Sequence, residues 1–230
     1  MRNYLVPAAI AATIVSTPAA AHADRLYVGG DVGVVLPRNT EIDVTDVTTG
    51  NTFDNAVDIE YSTGWEIDGV FGYDFGMIKA EGELSFKHAN FDAVDPSTAW
   101  VNFLQSRIPG VIVDPSDIDL DDGMDIIAVM GNGFVDFGRD DGFGGYIGGG
   151  VGYGWAKAYG ESDGSFAWQI VAGARYPVTP QIDIGIKYKY FDMSSLDYRS
   201  GVDVQGTIFS TDLGGNWRSH SILLNFTYNL

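Results

Sequence analysis

The sequence has no cysteine and few cations, with 13 lysines and arginines against 31 aspartates and glutamates in 230 residues. Without cysteine, an exported chain has no disulfides to rely on and must take its stability from elsewhere. The formal net charge of −18 argues against nucleic acid as a partner, because binding phosphates requires lysine and arginine to displace counterions. It also argues against broad adhesion to anionic lipid. Long apolar runs are missing too. Beyond residue 23 no stretch approaches the roughly 18 apolar residues that a membrane-spanning helix needs.

The first 23 residues, MRNYLVPAAIAATIVSTPAAAHA, hold one cation (Arg2), an apolar run through Val15, Pro18, and a small-x-small ending at Ala21 and Ala23. This is the layout of a secretory signal peptide cleaved before Asp24. We therefore expect residues 1–23 to be removed and residues 24–230 to form one domain. Without Arg2 the 13 basic residues become 12 against 31 acidic ones, a formal net charge of −19.

Glycine and aromatics are abundant, at 30 residues and 13%, and the apolar residues repeat every second position, which is the period of a β-strand. Leu26, Val28, Val32, Val34 and Leu36 share one face of a first strand that ends near Pro37. TGWEIDGVFGYDF turns at Gly76 and Met77 into IKAEGELSFK, a tight hairpin. Five further strands follow, at about Met124 to Phe137 and in GGYIGGGVGYGWAKA, SFAWQIVAGARYPV, IDIGIKYKYF and SHSILLNFTYNL. Residues 38–61, 88–123 and 192–218 lack a sustained period and read as loops. Within the second, residues 96–108 put Trp100, Phe103 and Leu104 at helical spacing.

Eight strands result, with every even-numbered connection short and three of the four odd-numbered ones long. In an up-and-down barrel these two sets lie at opposite ends. Tight turns at one end and long loops at the other are the pattern of outer-membrane barrels.

The stretch IKAEGELSFK poses the central question. Lys79, Glu81, Glu83 and Lys87 share one face, while Ile78, Leu84 and Phe86 share the other. A soluble barrel would put the charges outside, and a small membrane barrel would put them inside. Three features favour the inside. Trp65, Phe75, Trp155, Trp168, Tyr176, Tyr190 and Tyr228 stand near strand ends on the apolar faces, as an interfacial girdle would. Gly148, Gly150, Gly152 and Gly154 fall in series on a polar face, where a crowded lumen needs them. The sequence ends on an alternating apolar series, Ile222, Leu224, Phe226, Tyr228 and Leu230.

These segments, with RLYVGGDVG near the start and ILLNFTYNL at the end, resemble the opacity-type and outer membrane protein A-type barrels of Gram-negative bacteria. The resemblance implies an all-β fold: an eight-stranded antiparallel up-and-down transmembrane β-barrel with short periplasmic turns and long external loops, in the cell outer membrane. It implies as partners outer-membrane lipid and lipopolysaccharide, and the barrel-assembly machinery, which would read the terminal pattern; Leu230 stands where that family usually has Phe. The peptidoglycan-binding domain of larger relatives does not follow the last strand, so cell-wall tethering is not expected.

In that arrangement the lumen holds Asp31, Glu66, Asp68, Asp74, Lys79, Glu81, Glu83, Lys87, Asp136, Arg175, Asp183, Lys187 and Lys189, eight acids and five bases, with Asn132 and Gln169 among them. A plugged, salt-bridged core is expected, since buried charges must be partnered or hydrated. A narrow ion path lined by the same residues is the alternative. Other motifs fail. Asp117, Asp119 and Asp121 alternate as in a calcium loop, but Gly123 comes one place late and Ala128 stands where the bidentate Glu belongs, so no metal is expected. Residues 142–154 lack G-x-G-x-x-G spacing, so no nucleotide is expected either. His88 has no obvious carboxylate partner, and His220 and Ser221 point to opposite faces. We expect no cofactor and no enzyme, but a structural or surface-interaction role carried by acidic loops.

Overall fold

The computed structural model describes residues 25–46, 50–107, 123–138, 142–158, 161–204 and 207–230. The signal-peptide reading at residues 1–23 and most of the acidic run at 114–125 lie outside them. The elements are β1 (Arg25–Pro37), β2 (Thr40–Asp46), β3 (Asn51–Tyr61), β4 (Gly64–Asp74), β5 (Ile78–Pro96), α1 (Thr98–Arg107), β6 (Gly123–Phe137), β7 (Gly144–Ala158), β8 (Glu161–Pro177), β9 (Ile182–Val204) and β10 (Thr207–Asn229).

Eight of these strands close a barrel in the order β1-β4-β5-β6-β7-β8-β9-β10, and β10 pairs back onto β1 from Tyr27↔Asn229 to Pro37↔Ser219. Every pairing is antiparallel. Among the described residues no helix is long and apolar enough to cross a membrane, and the strands supply the span.

The expected faces hold. Ile78, Leu84, Val129, Val151, Ile184 and Leu224 are exposed on the outer wall, while Lys79, Glu83, Lys87, Asp136 and Lys187 are buried inside. β6 keeps a strict alternation, with Asn132 and Asp136 inward. Gly148, Gly150 and Gly152 of β7 face the lumen, where neighbouring backbone comes too close for a side chain. A Cβ at Gly148 would lie 2.0 Å from the Gly133 carbonyl oxygen, and one at Gly152 would lie 2.0 Å from that of Val129.

Of the three segments read as loops, 38–61 and 192–218 are instead largely paired among the described residues, and 88–123 is paired at its start. Residues 38–61 contain β2 and β3, a hairpin that continues the wall above β1 and β4 by pairing with β10 on one side and β5 on the other. β5 runs on to Pro96, and β9 and β10 extend as one hairpin to Val204 and Thr207. Their sequences lack a sustained hydrophobic period, although the backbone ladder continues. α1 falls within the range read from helical spacing. The Trp100 amide donates to Ser97 Oγ at its N-terminus (3.3 Å), an N-cap. It packs on β3 through Phe53, whose ring lies 5.4 Å from Trp100 and 4.7 Å from Phe103.

A paired substitution tests the inward glycines. Gly148→Ala should destabilise the barrel by about 1–3 kcal/mol in urea unfolding from detergent. Gly133→Ala, whose added Cβ would meet nothing within 4 Å, should cost nothing or stabilise slightly. Equal losses at both sites would contradict this placement.

Candidate functional site

The lumen is built in tiers. β4 and β5 are direct neighbours, so Asp74↔Lys79 and Glu66↔Lys87 are opposed pairs on one wall. β9 lies on the far side of the ring, and its inward Lys187 and Lys189 reach back across it.

At the periplasmic end Lys79 Nζ lies 3.1 Å from Asp74 Oδ2 and 3.4 Å from Asp136 Oδ2, and Arg175 pairs with Asp136. The Asp74 carboxylate also accepts from the Gly76 amide at 2.8 Å, which fastens this tier to the hairpin turn. Lys79 and Arg175 sit over the rings of Tyr27 and Tyr146, at 5.1 and 5.2 Å, where cation–π attraction adds to the ion pairs.

Above them Lys187 pairs with Asp31, which also accepts from Asn225. Glu83 accepts from Asn132 (3.1 Å) and Gln169 (3.2 Å). The next tier centres on Lys189, whose Nζ lies 2.8 Å from Glu66, 2.6 Å from Asp68 and 2.7 Å from Glu83. Lys87, Ser85 and Ser221 also donate to Glu66. Lys189, Glu66 and Glu83 are shut off from solvent.

Two acids of the sequence reading join no ion pair among the described residues. Glu81 is half-buried and accepts from the Tyr27 hydroxyl at 3.0 Å, with its Oε1 unpartnered, and Asp183 accepts from Asn229 at 3.3 Å. Glu81 thus meets a hydroxyl, while Lys187 is held by Asp31. Glu81 lines a cavity of about 20 Å³ with Tyr27, Lys79, Tyr146, Arg175 and Lys187, room for about one water.

The external end was missed. One step above Lys87, Lys189 and Ser219, the inward positions turn apolar. Phe91, Ile126, Met130, Phe191, Met193 and Trp217 form a buried cluster with Val35. Phe191 and Trp217 meet edge to face at 5.8 Å. The available signal was the loss of alternation where two apolar residues adjoin, as at Ile126 and Ile127.

On the outer wall, His88 is not without a carboxylate. The β5–β6 register opposes it to Asp125, and its Nδ1 lies 2.6 Å from Asp125 Oδ1, with Nε2 3.1 Å from Asn90 Oδ1. Reading His88 as the edge of a loop, when β5 continues through it, had hidden this pair. His220 bonds the Tyr188 hydroxyl at 2.7 Å on the outside, while Ser221 faces inward. The terminal Ile222, Leu224, Phe226 and Tyr228, with Leu230 after the strand, lie exposed on the lipid side. Among the described residues no group of three or more His, Asp or Glu side chains is arranged to hold a metal ion.

A closed eight-strand ring, apolar outside and charged within, is the architecture of an outer-membrane protein, and the sequence agrees. Residues 8–229 match the family described as the outer membrane protein beta-barrel domain. The chain belongs to this family. Among solved structures, the outer membrane protein OprG from Pseudomonas aeruginosa is similar in fold, with a TM-score of 0.63 at 13% identity, covering 90% of this chain and 96% of its own. Neisserial surface protein A is 12% identical over 88% of this chain and 96% of its own, with a TM-score of 0.48. No curated protein matches the sequence. As a member of the outer membrane protein beta-barrel family, the protein resides in the outer membrane, with lipid against its apolar wall.

Lys189 holds three carboxylates, so its removal leaves them buried together. Lys189→Met should destabilise the barrel by about 3–5 kcal/mol. Adding Glu83→Gln should recover part of that loss. Additive losses in urea unfolding would show that the four groups do not act as one cluster.

Proposed function

We propose that the protein is a closed, non-conducting barrel with a structural or surface-interaction role exercised by its external extensions, and that it is not an enzyme. The observation that carries this reading is the stack of tiers across the lumen. An ion would have to displace Lys189 from three carboxylates and then cross the apolar cluster that holds Phe191, Met193 and Trp217, losing its hydration without replacement ligands. The β2–β3 hairpin, α1 and the β9–β10 hairpin stand on this rigid base, and segments so placed carry binding. Against catalysis, both nitrogens of His88 are engaged by Asp125 and Asn90, and neither described histidine bonds a serine.

The second reading, a narrow ion path, draws on the excess of acids over bases in the lumen and on the periplasmic cavity. Planar bilayers separate the two. The native protein should give no steady openings, and Lys189→Met paired with Trp217→Ala should open a cation-selective path. Steady conductance of the native protein that responds to Glu66→Gln would overturn the closed reading.

We further propose that Ile222, Leu224, Phe226, Tyr228 and Leu230 form the segment read by the barrel-assembly machinery. Their support is alternation on the outer face of the strand that closes the ring. In reconstituted assembly, Phe226→Ala with Tyr228→Ala should slow the appearance of the heat-modifiable folded form, and Leu230→Phe should speed it. Unchanged rates in both would exclude recognition at these positions.

A further inference from the structure

The outer wall changes character at one height. Its external girdle holds Trp65, Trp155, Trp168, Tyr188 and Tyr190, and charged residues stand above it on several strands, the exposed Lys157 above Trp155 among them. On the β1–β10 seam those charges are two arginines. The Arg38 amide donates to the Arg218 carbonyl at 2.8 Å, continuing the register from Pro37↔Ser219. Like charges on facing strand positions repel, and this chain has few cations to place. Five are in the lumen, yet two of the remainder stand opposite one another.

Their surroundings are those of a lipid boundary. Arg38 is exposed and makes no ion pair among the described residues. Arg218 Nε lies 2.9 Å from Asp192 Oδ2, and its guanidinium side chain is 43% exposed, so its terminal nitrogens remain available. Just below, His220 bonds Tyr188, and its ring lies 5.2 Å from that of Tyr190. Tyr190 in turn packs on Trp168 at 5.4 Å. Lower still, Val34, Leu36 and Ile222 are exposed and apolar. Paired guanidiniums above an aromatic shelf and an apolar wall match an amphiphile with a phosphate at its head and acyl chains beneath.

We infer that Arg38 and Arg218 form a binding site on the outer wall for the phosphate headgroup of an anionic glycolipid of the external leaflet. The occupant is a lipid, because the apolar wall continues directly from the shelf and leaves no water-filled approach from below. Each guanidinium supplies a fork of N–H donors to the phosphate oxygens, and the phosphate neutralises the repulsion between them. Asp192 orients Arg218 from the side.

Native mass spectrometry of the purified barrel, loaded with bis-phosphorylated lipid A or with its dephosphorylated form, tests the site. The native protein should retain the phosphorylated lipid preferentially. Arg38→Gln with Arg218→Gln should lower that retention on the order of tenfold or more and abolish the preference. Asp192→Asn keeps both cations and should retain the preference. Gel heat-shift establishes that each variant is folded, and single Arg38→Gln, which breaks no described ion pair, should still lower retention several-fold. Equal retention of the two lipids by the native protein would overturn the site, as would a double variant that binds like the native one. Displacement of the lipid by millimolar inorganic phosphate would overturn its assignment to a lipid headgroup.

Discussion

The pairing of β1 with β10 is the constraint on which the other features depend. In hydrocarbon an unpaired backbone amide or carbonyl has no water to turn to, so a sheet that spans a membrane must close on itself. Closure with eight strands leaves a lumen only wide enough for side chains. Width then dictates composition. Where β7 faces the lumen, Gly148 and Gly152 lie against the carbonyls of β6, and Asn132 takes up the space that Gly150 leaves. The bulky aromatics of the same strand, Tyr153 and Trp155, are free to point outward.

The buried charges are better understood as setting register than as adding stability. A buried ion pair contributes little over a well-packed apolar pair, because both ions must first leave water. Its loss is costly, and so is its misplacement. Sliding β9 by one residue would turn Lys187 and Lys189 into lipid and the isoleucines into the lumen, at about 2–4 kcal/mol for each lysine near the bilayer midplane. With Lys189 gripping residues of β4 and β5 from across the ring, one cation fixes three strands. The apolar cluster above it completes the closure by packing, where charges are not needed because the strands are already in register.

Much of this was legible in the sequence wherever lipid contact imposed a period of two. IKAEGELSFK has one apolar and one charged face, and glycine placement on β7 decided which of them was outside. Legibility failed where that pressure ends. The sequence of residues 38–61 and 192–218 interleaves apolar with polar and acidic residues without a sustained period of two, so the pairing within them left no alternation to read. Ile126 and Phe191 were missed for a different reason: an apolar lumen tier beside an apolar lipid face is a continuous hydrophobic run, and periodicity cannot divide it, whereas Trp217 stands between Asn216 and Arg218 in a stretch read as loop. The His88–Asp125 pair depends on the register between β5 and β6, which neither strand states alone.

Charge shows why compositional averages mislead in a molecule divided among compartments. A net charge of −18 describes a chain that should shun anionic lipid, yet the wall beside the aromatic girdle carries Arg38 and Arg218. The average does not act there. From Arg218 the hairpin continues outward to Thr207, a reach of roughly 35 Å at about 3.3 Å per residue. Fields between exposed charges fade over about 8–10 Å at ordinary ionic strength. Acids far along the sequence from the rim are largely screened from it, and six of the eight lumen acids are held by lysines or Arg175 behind the barrel wall. What a headgroup meets is set by the few residues within a screening length of it, and on the β1–β10 seam those include two guanidiniums and the carboxylates of Asp192 and of Glu60, which accepts from Asn39 at 3.3 Å.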